Sequence, residues 1–266
     1  MPEGPECRHI AQKLAKIISN KTIIDIDVLS GRFIKKTPNG IESFREQLPV
    51  KVVGAGVHGK FIYIICADES YIWSTLGMTG EWSSVANKYS RIKLTLSDGR
   101  SAFFNDQRNF GTIKFVRGRH KMLDKLKSFG PDLLSEDVTD QKFISQIRTK
   151  PAWEITKVLM EQSIISGVGN YIKSDSLWLA RIDPTRCVKD ITDGELANLN
   201  RCIKQVMRES YNSGSTLETY YAGNNQLPKG RKYLIYNQTT DPDGNTIKKQ
   251  RTKDNRMTYW VPNIQK

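Results

Sequence analysis

The hydrophobic pattern of this 266-residue chain changes period along its length, and those changes limit the folds open to it. From residue 21 to about residue 118 the sequence is a series of short runs rich in Ile, Val, Phe and Tyr, separated by Asp-Gly, Asn-Gly, Ser-Gly and Gly-Lys breaks. Runs of that length and composition predict antiparallel strands joined by tight turns. Beyond Gly130-Pro131-Asp132 the period becomes helical, and residues 138–148, 152–165, 171–180 and 193–211 are candidate helices. Thr192 precedes the last of these as a cap, with Glu195 at the capping-box distance. Ahead of the strands, Ile10, Leu14, Ile17 and Ile18 lie at helical spacing within residues 7–20, a helix that would anchor the amino terminus to a core.

The tail, residues 224–266, holds nine Lys or Arg against three Asp, a balance of +6. The turn Asp241-Pro242-Asp243-Gly244 separates a strand-like stretch at 232–236 from a basic run toward Met257 and Val261, which predicts a β-hairpin. The fold class expected is therefore α+β: an N-terminal helix plus antiparallel β-sandwich, then an α-helical domain, then a C-terminal β-hairpin. The corresponding domains are residues 1–130, 131–223 and 224–266.

A formal charge of +13, with five Trp and ten Tyr, points to a polyanionic partner, nucleic acid first. No stretch approaches the roughly 20 apolar residues of a membrane span, and the first residues carry charges in place of an apolar signal core. An intracellular protein with no membrane partner is expected, nuclear in a eukaryote and cytoplasmic in a bacterium or virus. Cys7, Cys66, Cys187 and Cys202 show no CxxC spacing, and His9, His58 and His120 no ligand spacing, so neither a cofactor nor a metal is expected.

The chemistry concentrates at the amino terminus. Removal of Met1 would make Pro2 a free secondary amine, and an α-amino group titrates near pH ~8, well below lysine. Such an amine can attack the anomeric carbon of a sugar and form an imine, splitting one hard displacement into two easier steps. Glu3 stands beside it as an acid. Gly54-Ala55-Gly56-Val57-His58-Gly59 matches GxGxxG in letters only, because a strand pattern follows it where a dinucleotide site needs a helix. Lys60 opens that strand, where its ammonium can meet a phosphate. Ser166-Gly167-Val168-Gly169-Asn170-Tyr171 lies between two helical stretches, where glycines allow a close approach and the next helix's amides, with Asn170, suit an anion.

These pieces combine. Pro2-Glu3-Gly4-Pro5-Glu6, His58-Gly59-Lys60, Leu76-Gly77-Met78-Thr79-Gly80, Asp106-Gln107-Arg108-Asn109-Phe110-Gly111, Gly130-Pro131-Asp132 and Gly167-Val168-Gly169-Asn170-Tyr171 resemble, in order, signature segments of the formamidopyrimidine-DNA glycosylase and endonuclease VIII family. The resemblance spans nearly the whole chain, and its amino-terminal form is nearer the endonuclease VIII branch.

The resemblance implies a bifunctional DNA glycosylase and abasic-site lyase of base excision repair, with a helix-two-turns-helix in residues 131–223. Pro2 would be the nucleophile at C1′ of the damaged nucleotide, and the imine would lead to β- and δ-elimination. Glu3 would assist opening of the sugar, Lys60 would join them in catalysis, and Glu6 would support the site. Lys60, Asn170 and Arg256 would hold phosphates around a nucleotide flipped out of the stack. Met78, Arg108 and Phe110 would fill the void it leaves. Damaged DNA, double-stranded or single-stranded, would be the partner of a monomer. Two departures from the family pattern stand out: Asp175 replaces a glutamate, and Thr240, Asp243, Val261 and Ile264 occupy the four cysteine positions of a zinc finger. The last resembles a zincless finger. Oxidised pyrimidines are the favoured substrates; the alternatives are a non-catalytic binder of damaged or single-stranded DNA and an oxidised-purine glycosylase. A base-covering loop at 213–231 would suit the purine reading.

Overall fold

The computed structural model describes residues 2–214 and 233–266, and the expected base-covering loop lies almost wholly outside the described residues. The chain divides into two compact units. One contains Pro2 and Glu6–Lys127; the other contains Glu3–Pro5 and the described residues from Ser128 onward.

Helix α1 (Gly4–Ile18) opens the chain. It starts ahead of residue 7 because Pro5 in the first turn supplies a preset φ where a missing N–H costs nothing. Cys7, Ile10, Leu14 and Ile18 are its buried stripe. Strand β1 (Thr22–Val28) follows, then two short helices that the strand pattern did not suggest, α2 (Arg32–Lys35) and α3 (Ile41–Arg45). Each begins at a glycine of positive φ, Gly31 and Gly40, and each buries aromatic surface through Phe33 or Phe44. The remaining strands are β2 (Val50–His58), β3 (Phe61–Cys66), β4 (Ser70–Thr75), β5 (Gly80–Ser83), β6 (Ser90–Leu96), β7 (Ser101–Asp106) and β8 (Thr112–Arg117).

These strands pair throughout as antiparallel neighbours in the order β5-β7-β6-β1-β2-β3-β4-β8. The two halves of the sandwich, β5-β7-β6-β1 and β2-β3-β4-β8, join through a short β1–β2 pairing at Thr22↔Lys51 and Ile23↔Val50. Alternation places Ile62, Ile64, Ile72, Ile92, Leu94 and Phe104 in the core. The GxGxxG letters fall on β2 and on the turn into β3, with His58 opposite Phe61. Gly56 has a packing reason to be glycine: a Cβ there would stand 2.5 Å from the Tyr63 ring.

Four of the eight α-helices among the described residues lie in the second unit. Helix α4 (Arg119–Lys127), unforeseen in the sequence, precedes it. Then come α5 (Asp140–Ile147), α6 (Ile155–Met160), α7 (Asn170–Leu179) and α8 (Asp193–Asn212), the last with the predicted Thr192–Glu195 capping box formed in both directions. Helix α6 is far shorter than the 152–165 stretch: it ends at Met160, where the Glu161 backbone becomes extended, and Gln162 then braces the turn that follows. Its side chain accepts from the Gly167 N–H and donates to the Val168 carbonyl, both at 3.0 Å. Phe143, Ile155, Leu159, Ile172, Leu196 and Ile203 form the fully buried centre of this unit.

The C-terminal hairpin exists, but its first strand is β9 (Lys248–Arg251), paired with β10 (Met257–Trp260) in the register Arg251↔Met257 to Lys248↔Trp260. Residues 233–236 are not a strand. The amides of Leu234, Ile235 and Tyr236 all donate to the Asp175 carboxylate at 3.0–3.1 Å, which withdraws them from any ladder. Asp175, one of the two departures from the family pattern, is thus the fully buried anchor of the tail.

Candidate active site

Glu3 and the glycine turn build one arrangement. The Glu3 side chain is 2% exposed and lies at the start of α7, where its carboxylate accepts from the Tyr171 N–H (3.0 Å) and the Ile172 N–H (3.2 Å). A helix begins with unpaired N–H groups and a positive dipole end, and a carboxylate satisfies both. The glycines are explained by proximity. A Cβ on Gly169 would fall 2.1 Å from Glu3 Cδ, and the Gly4 N–H donates to the Gly167 carbonyl at 2.9 Å, with Gly167 at φ 90°.

The same helix end holds the hairpin. Asn170 Nδ2 donates to the Met257 carbonyl at 2.9 Å. Lys173, 0% exposed, pairs with Asp254 at 2.5 Å across the turn between β9 and β10. Burial pulls the Lys173 ammonium below the ordinary lysine range, and Asp254 counters that pull. Arg256 and Met257 are exposed beside these anchors.

The finger positions do not fit zinc. Val261 is 1% exposed in an apolar cluster with Trp178, Ile235 and Ile247, Ile264 packs against it, and neither side chain offers a donor atom. Asp241 closes the preceding turn instead: its carboxylate accepts from Trp178 Nε1 (3.2 Å), Asp243 N (3.0 Å) and Asn245 N (2.8 Å).

In the first unit, the structure brings together the loops carrying Met78, Arg108 and Phe110. The buried Asp106 accepts from Thr79 Oγ1 and, at 2.7 Å, from the Gly111 N–H, while Thr79 Oγ1 accepts from the Arg108 N–H at 2.9 Å. Gly77, at φ 58°, passes so close to Phe110 that a Cβ would meet its backbone at 2.7 Å. Arg108 lies over the Phe110 ring, 4.9 Å from its centroid, and Phe110 is 54% exposed. Lys60 sits in the β2–β3 turn after Gly59, its carbonyl approached by Cys7 Sγ at 4.0 Å. Pro2 is buried just ahead of α1, and Glu6 is buried in its first turn.

Residues 1–113, 129–220 and 228–266 match, in turn, the N-terminal domain, the H2TH domain and the C-terminal domain of formamidopyrimidine-DNA glycosylase. The chain belongs to the formamidopyrimidine-DNA glycosylase family. It is 30% identical over 236 residues to formamidopyrimidine-DNA glycosylase of Halalkalibacterium halodurans, covering 85% of each chain. To that of Shouchella clausii it is 27% identical over 276 residues, covering 100% of this chain and 99% of the relative. Its fold is similar to Lactococcus lactis formamidopyrimidine-DNA glycosylase non-covalently bound to DNA containing an abasic site, with a TM-score of 0.83, 22% identity and 99% of both chains covered. A MutM structure in complex with DNA containing carbocyclic 8-oxo-G gives a TM-score of 0.84 at 22% identity, with 100% of both chains covered. As a family member the chain is an enzyme, a DNA glycosylase of base excision repair with abasic-site lyase activity.

In this glycosylase several residues that shape the site were not singled out from sequence. Thr79 and Asp106 lay inside matched segments, yet only their mutual contact reveals that they couple two loops. Arg91 is 7% exposed and donates through Nε to the Asp106 carbonyl at 2.8 Å. Lys173 and Asp254 are 81 residues apart, and no local signal links them.

Proposed function

We propose that this glycosylase removes oxidised bases through an imine formed by Pro2 and then cuts the strand by β,δ-elimination. With Met1 removed, the Pro2 nitrogen attacks C1′ and the bond to the base breaks. The Glu3 carboxylate takes the proton that the Pro2 nitrogen sheds and passes it to the sugar-ring oxygen as the ring opens, leaving an iminium between Pro2 and C1′. That cation acidifies C2′. Loss of a C2′ proton expels the 3′ phosphate, a second elimination expels the 5′ phosphate, and hydrolysis frees Pro2. The observation that carries this reading is the Glu3 carboxylate, fixed by the Tyr171 and Ile172 amides one peptide bond from Pro2.

Lys60 serves catalysis and, with Asn170 and Arg256, grips phosphates around the flipped nucleotide; Glu6 supports the site. Met78, Arg108 and Phe110 enter the vacated stack. Their coupling through Thr79 and Asp106 supports this role. We place the chain in the endonuclease VIII-like branch with a zincless finger, acting as an intracellular monomer on oxidised pyrimidines in duplex or single-stranded DNA. An oxidised-purine preference is the second reading, favoured by relatives that bear the formamidopyrimidine name.

Borohydride added during reaction with abasic DNA tests the mechanism. A covalent complex mapped to Pro2 is expected; one mapped to Lys60 or another lysine, or none, would refute it. Excision rates on a panel of pyrimidine and purine lesions, in single and double strands, decide the substrate class.

A further inference from the structure

We infer that Lys173 and Asp254 form a positioning couple that locks the finger turn, and with it Arg256, onto helix α7. The inference rests on the reading of Arg256 as a phosphate ligand. The pair's side chains are 0% and 2% exposed, so both charges have been taken out of water. Desolvating two charges offsets most of what their attraction gains, and an apolar pair would hold two elements together at least as well. What an apolar pair lacks is direction.

Direction is what the surroundings use. Asp254 gives Oδ2 to Lys173, while its Oδ1 accepts from Thr252 Oγ1 at 2.6 Å and from the Arg256 N–H at 3.2 Å. The turn closes on itself through Thr252 N–H to the Arg256 carbonyl at 3.1 Å. A short chain of polar contacts thus runs from the helix through Lys173 and Asp254 to the backbone of Arg256. One turn earlier on the same helix, Asn170 fixes the neighbouring Met257 carbonyl. Arg256 is held from both sides. Because Asp254 is committed to Lys173, the exposed Arg256 guanidinium makes no ion pair among the described residues and keeps its charge for an anion.

The experiment is a double-mutant cycle with Lys173→Met and Arg256→Ala. Affinity for a duplex carrying a tetrahydrofuran abasic analogue is measured against salt, and the borohydride-trapping rate is measured at saturating DNA. Arg256→Ala should weaken binding about tenfold and lower the salt slope by about one phosphate contact. Lys173→Met should reproduce both losses, leave the saturated trapping rate unchanged, and add nothing to Arg256→Ala. Additive losses, a slowed saturated rate, or Lys173→Met with unaltered affinity and slope would overturn the couple while sparing Arg256. Unaltered binding by Arg256→Ala would instead defeat the phosphate reading and the couple together. If Lys173→Met fails to fold, the paired variant Lys173→Met with Asp254→Asn removes both buried charges yet retains an acceptor for Arg256, and the same loss of slope is expected of it.

Discussion

Glu3 illustrates how a single side chain acquires a role from its surroundings. Its two amide donors come from residues 168 and 169 positions further along the chain, and Gly169 is needed to let it in. Replacing Glu3 with Gln keeps the shape but removes the group that takes up and passes on the proton. Base removal should fall by at least about a hundredfold, the scale of general acid–base catalysis, while cleavage of a ready-made abasic site falls far less; parallel assays on lesion and abasic oligonucleotides check this. Arg108 sits over Phe110 on a loop fixed by Asp106 and Thr79. Because an orphaned base exists only in a duplex, Arg108→Ala should lose its preference for duplex over single-stranded substrate. Equal loss in the two rate measurements would remove Arg108 from the void-filling set.

Among the elements, helix α8 and the tail are stabilised by carboxylates in different ways. The Arg186 guanidinium, with the Thr192 amide and hydroxyl, holds the Glu195 carboxyl down at about 2 from an ordinary 4.5. A depressed carboxyl contributes its stability in full above the ordinary value and loses it as pH falls through the folded one. Thermal unfolding between pH 5 and 2 should therefore show a loss that Glu195→Gln reduces. Asp241 organises the turn before β9 through the Trp178 indole and the backbone of residues 243 and 245. Asp241→Ala leaves the buried indole N–H unpaired and should cost roughly 2–3 kcal/mol in urea unfolding.

At the scale of the molecule, the charge of +13 makes DNA affinity strongly dependent on salt. The finger is held by apolar packing of Val261 with Ile235 and Ile247, and by Asp175, Asp241 and Asp254. Chelators should accordingly leave activity unchanged, and elemental analysis of the purified enzyme should find no stoichiometric zinc; activity lost to a chelator and restored by zinc would contradict this account.

The sequence by itself determined the β-then-α order, the capped helix α8 and the identity of the family, because periodicity, caps and short matched segments are local signals. It also put Val261 and Ile264, side chains without donor atoms, at two positions where the family resemblance expects cysteines. It misplaced the first strand of the hairpin: residues 233–236 carry strand-like side chains, but Asp175 binds their amides, and that competition is invisible locally. It overextended α6, which ends where the Glu161 backbone becomes extended, ahead of the turn that Gln162 braces by bonding residues 167 and 168. Only the tertiary structure decided what Asp175 does, why Gly169 has no side chain, and that Lys173 faces Asp254. Hydrogen bonds and buried charges join whatever residues folding brings within about 3 Å, and distance along the chain carries no trace of such encounters.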